Sequence, residues 1–183
     1  MGENLSFRVK KRKVIFSKGP IHLVDCDVKM KNGRILSRQI LEHPGSVVLI
    51  PLLRPDKIIL VRQFRFAIGK WIWELPAGGV ERGESLKQAA IRELKEEIHY
   101  RPRRVRKLAS FYPTPGISGE MMHLFLAEDL VPGKAVGDDD EELKVRVFSL
   151  AELGAMIKKR KIKDAKTVVG YFCLERLRKS KQS

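Results

Sequence analysis

The sequence predicts an α+β chain: a mixed sheet covered by helices on both faces, preceded by a small antiparallel β lobe. Three observations carry this prediction. The first 43 residues alternate in short β-like pieces, with no helical stretch among them. Two β-branched runs, "PGSVVLIPLL" and "KIILVRQFRF", follow around a turn at Arg54-Pro55-Asp56. Helical character then appears three times, at 85–98, 149–159 and 164–179, before and after later strands. The expected division is a lobe over 1–43 and a main domain over 44–183.

In the lobe, "RKVIFS", "IHLVDCDVKM" and "RILSRQILEH" read as strands, and "KNG" between the last two is a hairpin signal. Past the two long strands, Trp71 and Trp73 alternate either as strand-packing residues, the favoured reading, or as a surface on which a base stacks. "ELPAGGVERGES" is a Gly/Pro loop. The next segment, "SLKQAAIRELKEEI", is a helix whose start is marked by Ser85 with Gln88 three residues on, a capping-box pattern. Leu86, Ala90, Leu94 and Ile98 form its apolar face. "RKLASFYPTPGISGEMMHLFLAEDL" reads as strand, Pro/Gly loop and strand. "GDDDEE" is an acidic loop, and "LKVRVFSL" is the last strand.

Composition narrows the function classes. The longest apolar run, "VVLIPLL", is too short to span a bilayer, and no secretory layout is visible. Gly2 and Ser6 match the loose myristoylation pattern, a weak signal. Cys26 and Cys173 match no metal-ligand spacing and read as thiols of a reducing cytoplasm. The chain carries 37 Lys and Arg against 22 Asp and Glu, a net charge of +15. That charge suits a polyanion or a small phosphorylated substrate. No aromatic-interleaved RNA motif accompanies it, so nucleic acid is not the favoured partner. There is no "GxSxG" elbow and no Walker loop.

Against this basic background, "RELKEE" concentrates acid. Glu93, Glu96 and Glu97 lie three and four apart on one helix edge, and Arg92 stands four before Glu96. Such an edge is either a solvated face laced with ion pairs or a holder of hard divalent cations, which prefer oxygen ligands.

From Gly78 the chain reads glycine, five residues, Glu84, seven residues, Arg92-Glu93, Leu94, one residue, Glu96-Glu97. This resembles the box of the Nudix hydrolases. "VRQFRFAIGKWIWELPAGGVERGE", "FYPTPGISGE" and the acidic loop look like its ADP-ribose pyrophosphatase branch, and Pro115 sits where that branch has its marker proline. One position departs: His99 replaces the glycine that ends the box helix. The resemblance covers roughly residues 38–175.

The resemblance implies an α/β/α Nudix sandwich and hydrolysis of the diphosphate of ADP-ribose, or of a related nucleoside diphosphate sugar, to AMP and a sugar phosphate. It implies Mg²⁺ or Mn²⁺, held by the Ala77 carbonyl, Glu93, Glu96, Glu97 and Glu141, with Arg92 orienting the acids. Such ions neutralise the diphosphate, polarise phosphorus and acidify water. Asp139 falls at the general-base position, one methylene shorter than the usual glutamate, with Glu141 or Glu142 as alternates. Arg65, Gly79, Thr114, Pro115, Gly116 and Glu120 are implied substrate contacts. Arg38 and Gln39 are implied contacts with the adenosine end across a homodimer, Gln39 replacing a glutamate. The rival readings are an RNA 5′-pyrophosphohydrolase and a non-catalytic nucleotide- or RNA-binding module on the same scaffold.

Overall fold

The computed structural model describes residues 7–133 and 143–180, which form two compact units. One unit runs to Gly45 and takes in Tyr112–Met121; the other comprises Ser46–Phe111 and the chain from Met122. Gly2 and Ser6, the residues of the myristoylation pattern, lie outside the described residues.

The first unit is a three-stranded antiparallel sheet, β1 (Phe7–Lys18), β2 (Ile21–Met30) and β3 (Ile35–Glu42), in that spatial order. The expected turn at "KNG" joins β2 to β3, with Gly33 at φ +83°, where a side chain would be strained. Val24 and Cys26 of β2 are buried. The segment 112–121 lies along β3: the Leu41 amide donates to the Ile117 carbonyl at 2.8 Å, and the Gly119 amide to the Leu41 carbonyl at 3.1 Å.

The second unit is built on β4 (Ser46–Arg54) and β5 (Lys57–Arg65). After them come β6 (Lys70–Glu74), β7 (Ala77–Gly79), α1 (Leu86–Ile98), β8 (Tyr100–Phe111), β9 (Met122–Pro132), β10 (Lys144–Ser149), α2 (Leu150–Lys158) and α3 (Ala165–Lys179). The sheet runs β10-β5-β4-β9-β8, with β6 paired to β5 and β7 paired to β4. The β4–β9 pair is parallel and the others antiparallel, so the sheet is mixed as expected.

Strand periodicity sorts the core into two layers. The pattern is plainest in β4, whose Val48, Ile50 and Leu52 join Leu153 of α2 and Leu174 of α3. The alternate residues Val47 and Leu49 join Ala89, Ala90, Leu94 and Ile98 of α1. Both faces of β4 are thus covered, which is why "SVVLIPLL" reads as a continuous apolar run. Each fully buried Leu or Ile contributes about 2 kcal/mol to this sandwich.

The two short strands β6 and β7 occupy a stretch that reads in part as loop. Trp73 of β6 packs edge-on against Phe148, ring centroids 5.0 Å apart, in keeping with the packing expected for it. The three residues of β7 are extended because β4 lies beside them; nothing local in "AGG" favours a strand. Both cysteines are free thiols, Cys26 buried and Cys173 partly so. No described helix is long and apolar enough to cross a membrane.

Candidate active site

The acids of "RELKEE" occupy one edge of α1. The helix starts where the sequence indicates: the Gln88 amide donates to the Ser85 hydroxyl at 3.3 Å, and the Ser85 amide to the Gln88 side chain at 2.8 Å. It ends on His99, which takes the left-handed conformation (φ 58°, ψ 35°) in the place of the expected glycine. Its ring nitrogen Nδ1 lies 3.3 Å from the Lys95 carbonyl. The helix therefore terminates at the same point despite the substitution, and the acids keep their spacing.

Arg92 is the hub of the array. Its Nη1 donates to Glu93 Oε1 at 2.7 Å and to Glu96 Oε2 at 2.9 Å. Its Nη2 donates to Glu84 Oε1 at 2.8 Å and to the Gly79 carbonyl at 2.9 Å. One guanidinium thus ties the box helix, the residue before its cap and strand β7 into a single piece. Hydrogen bonding from Arg92 holds the Glu84 carboxyl below its ordinary value. Glu93 is buried, and burial pushes its carboxyl up although Arg92 opposes this.

Glu97 differs. Among the described residues no cation pairs with it, and its Oε2 accepts from the Ala77 amide at 3.2 Å. Burial, then the charge of Glu93, push it up to about 8. Gly78 explains the closeness of strand and helix: a Cβ there would overlap the Glu93 carboxylate. One buried and one half-buried carboxylate, Glu93 and Glu97, the absence of a salt bridge to Glu97 among the described residues and the Ala77–Gly79 backbone alongside suit a divalent cation. The donor set is incomplete: among the described residues no three His, Cys, Asp or Glu side chains form a metal cage. Asp139, Glu141 and Glu142 lie outside the described residues.

A second network borders the first and is not legible in the sequence. Glu74, at the end of β6, is 1% exposed. Its Oε1 accepts from Arg65 at 2.8 Å and its Oε2 from Lys166 at 2.5 Å. Lys166, 6% exposed, also reaches Asp164 Oδ1 at 3.0 Å. Asp164 caps α3 through the Thr167 amide, and the Thr167 hydroxyl accepts from the Leu75 amide at 2.8 Å. In "KKRKIKDAK" Lys166 looks like one more solvated cation. The only available signal is its place two residues after a helix-capping Asp.

The remaining candidates belong to the first unit. Arg38 and Gln39 lie on β3; Gln39 donates to Asp25 Oδ1 at 2.9 Å, and Arg38 to the Ser37 carbonyl at 2.9 Å. Thr114, Pro115, Gly116 and Glu120 lie in the segment beside β3, where the Thr114 carbonyl accepts from the Ile117 and Ser118 amides. Glu120 Oε1 is 3.9 Å from His43 Nδ1.

The NUDIX domain model matches residues 43–169. The chain is 39% identical over 155 residues to an ADP-ribose pyrophosphatase of Bacillus subtilis, covering 84% of each. It is 36% identical over 177 residues to a methanol dehydrogenase activator of Bacillus methanolicus, covering 96% of each. A solved ADP compounds hydrolase superposes with a TM-score of 0.85 at 21% identity, over 99% of this chain and 98% of that one, which establishes likeness of fold.

Proposed function

Since the chain belongs to the Nudix family and is a Nudix hydrolase, we propose that it cleaves the diphosphate of ADP-ribose to AMP and ribose 5-phosphate. The observation that carries the reading is the Arg92-centred array, which holds buried Glu93 beside the Ala77–Gly79 strand, with half-buried Glu97 on the Ala77 amide. The substrate follows the 39%-identical relative named as an ADP-ribose pyrophosphatase.

Water adds across the P–O–P bridge: one P–O bond forms at the attacked phosphorus and the bridging P–O bond breaks. The chain's contribution is position and charge. The Ala77 carbonyl, Glu93, Glu96 and Glu97 are the residues that would hold Mg²⁺ or Mn²⁺, with Glu141 completing the set. The ions supply charge neutralisation and Lewis acidity when bound. Arg92 fixes Glu93 and Glu96 at set angles, so little reorganisation is needed during reaction. We assign Asp139 as the acceptor of the water proton. Arg65, Gly79, Thr114, Pro115, Gly116 and Glu120 would bind the substrate, and Arg38 and Gln39 its adenosine end from a partner copy.

We assign residues 1–43 as the dimerising lobe, 44–183 as the hydrolase domain, and the cytoplasm as its setting. The lobe's exposed apolar side chains, Val9, Val14, Ile15 and Phe16, support a homodimer. A second reading keeps the chemistry and takes the 5′ end of RNA. It is favoured by β8, which exposes Arg101, Arg103, Arg104, Arg106 and Lys107 on an edge strand. A non-catalytic module is disfavoured, since a binder has no need of Arg92, Glu93, Glu96 and Glu97 together.

The test is AMP release from ADP-ribose by wild type with Mg²⁺, with chelator, and by Glu97→Gln. Release by wild type alone supports the reading. Absence of release with either Mg²⁺ or Mn²⁺ refutes ADP-ribose as substrate. Cleavage of 5′-diphosphorylated RNA instead, with steep salt dependence, would favour the second reading.

A further inference from the structure

We propose that Lys166 is a positioning residue for Arg65, acting through Glu74, so that the first residues of α3 set how the guanidinium meets the anionic substrate. The inference rests on the proposed function, in which Arg65 contacts the substrate.

The division of labour on Glu74 carries the argument. Arg65 Nε and Nη2 both engage Oε1 at 2.8 Å, and Lys166 occupies Oε2 at 2.5 Å. With both oxygens taken, the carboxylate has no freedom to rotate. The guanidinium that pairs with it inherits a fixed plane. Lys166 is itself held by Asp164 Oδ1, and Asp164 by the first turn of α3. Thr167 fastens that turn to the Leu75 amide, next to Glu74. The chain Arg65–Glu74–Lys166–Asp164 alternates in sign and is anchored at its Asp164 end on the Thr167 amide.

The exposures fall as a relay requires. The side chains of Glu74 and Lys166 are 1% and 7% exposed, while that of Arg65 is 41% exposed. The buried members therefore meet no substrate, and Arg65 is the member open to it. A buried ion pair is a poor way to gain stability, because desolvation offsets most of its attraction. It is a good way to hold a charge at one angle. Nothing in the packing of α3 demands a cation here, since apolar residues such as Leu174 seat the helix on the sheet.

Removing Lys166 frees Oε2 and lets Glu74 turn, so Arg65 loses its plane without losing its charge. The expected signature is weakened substrate binding, no larger than the loss of Arg65 and not additive with it.

The experiment measures equilibrium binding of a non-hydrolysable methylene-bridged ADP-ribose analogue, beside kcat and KM for ADP-ribose. The variants are Lys166→Met, Lys166→Arg, Arg65→Ala and the Lys166→Met/Arg65→Ala pair. Lys166→Met and Arg65→Ala should each raise Kd and KM on the order of tenfold, with kcat changed less. The double variant should be no worse than Arg65→Ala, and Lys166→Arg should recover much of the loss. If Lys166→Met does not fold, Glu74→Gln takes its place in the same cycle. Additive losses, a fall in kcat alone, or unchanged binding in Lys166→Met would overturn the relay. Wild type that neither binds the analogue nor cleaves ADP-ribose would refute the substrate reading, and the relay's role with it. Wild type that binds while Lys166→Met binds equally well refutes the relay alone.

Discussion

Among the described residues no cation pairs with Glu97, and that has a thermodynamic consequence. Its carboxyl sits at about 8 against an ordinary value of 4.5, chiefly through burial and then through Glu93. An acid raised on folding binds more protons in the native than in the unfolded chain. Stability is therefore full below the unfolded value and is lost as pH rises toward the folded one. Metal-free protein should lose stability between about pH 4.5 and 8, at no more than about 1.4 kcal/mol per pH unit for this group. Glu93, also raised, adds in the same direction. Urea unfolding across this range should show the slope, and Glu97→Gln should flatten it. Added Mg²⁺ should flatten it too, since binding to the native state alone stabilises that state. An unchanged slope in Glu97→Gln would place the titration elsewhere. Glu84 has the opposite sign: Arg92 lowers it, so its contribution disappears only as pH falls through the acid range.

At the scale of the element, α1 shows what sequence can and cannot disclose. Its start, its buried face and its acidic edge follow from residues within a turn of one another. Ser85, Gln88, Leu94 and the glutamates are therefore legible without a structure. Ser85→Ala should cost about 1 kcal/mol through loss of the cap, read by urea unfolding. His99→Gly should leave the helix end in place and gain up to about 1 kcal/mol, because glycine takes the left-handed conformation without strain. A loss on His99→Gly would mean that the contact of its ring with the Lys95 carbonyl outweighs the strain. The partners of other site residues come from far along the chain and leave no local mark. Strand β7 is extended because of β4, and Glu74 is held by a lysine 92 residues away. The sequence shows Glu74 as a residue beside the site and Lys166 as part of a basic run; only folding makes them one group.

At the scale of the whole molecule, the first unit joins two separate stretches of chain, and its inclusion of Tyr112–Met121 is not legible in the sequence, since it depends on hydrogen bonds between Leu41 and residues 117 and 119. In the three-stranded sheet β1 is an edge strand, and its Phe16 is 57% exposed. Apolar side chains on an unpaired edge invite association. Sedimentation should find two chains per particle for wild type and one for Phe16→Asp. A wild-type monomer would remove the dimer from the proposal and leave Arg38 and Gln39 without their assigned role.

The two-sided burial of β4 also limits how this chain can change length over generations. Its successive side chains address different helices, Val47 and Leu49 toward α1, Val48 and Ile50 toward α2 and α3. Inserting or deleting one residue within the strand would exchange the two sets and hand each helix the wrong partners. Insertions should be tolerated instead at turns such as Arg54–Lys57, and substitutions within β4 should conserve volume. Strand β5 obeys the same constraint, its Ile58 and Leu60 on one layer and its Ile59 and Val61 on the other, so neither central strand can gain or lose a residue without exchanging its partners.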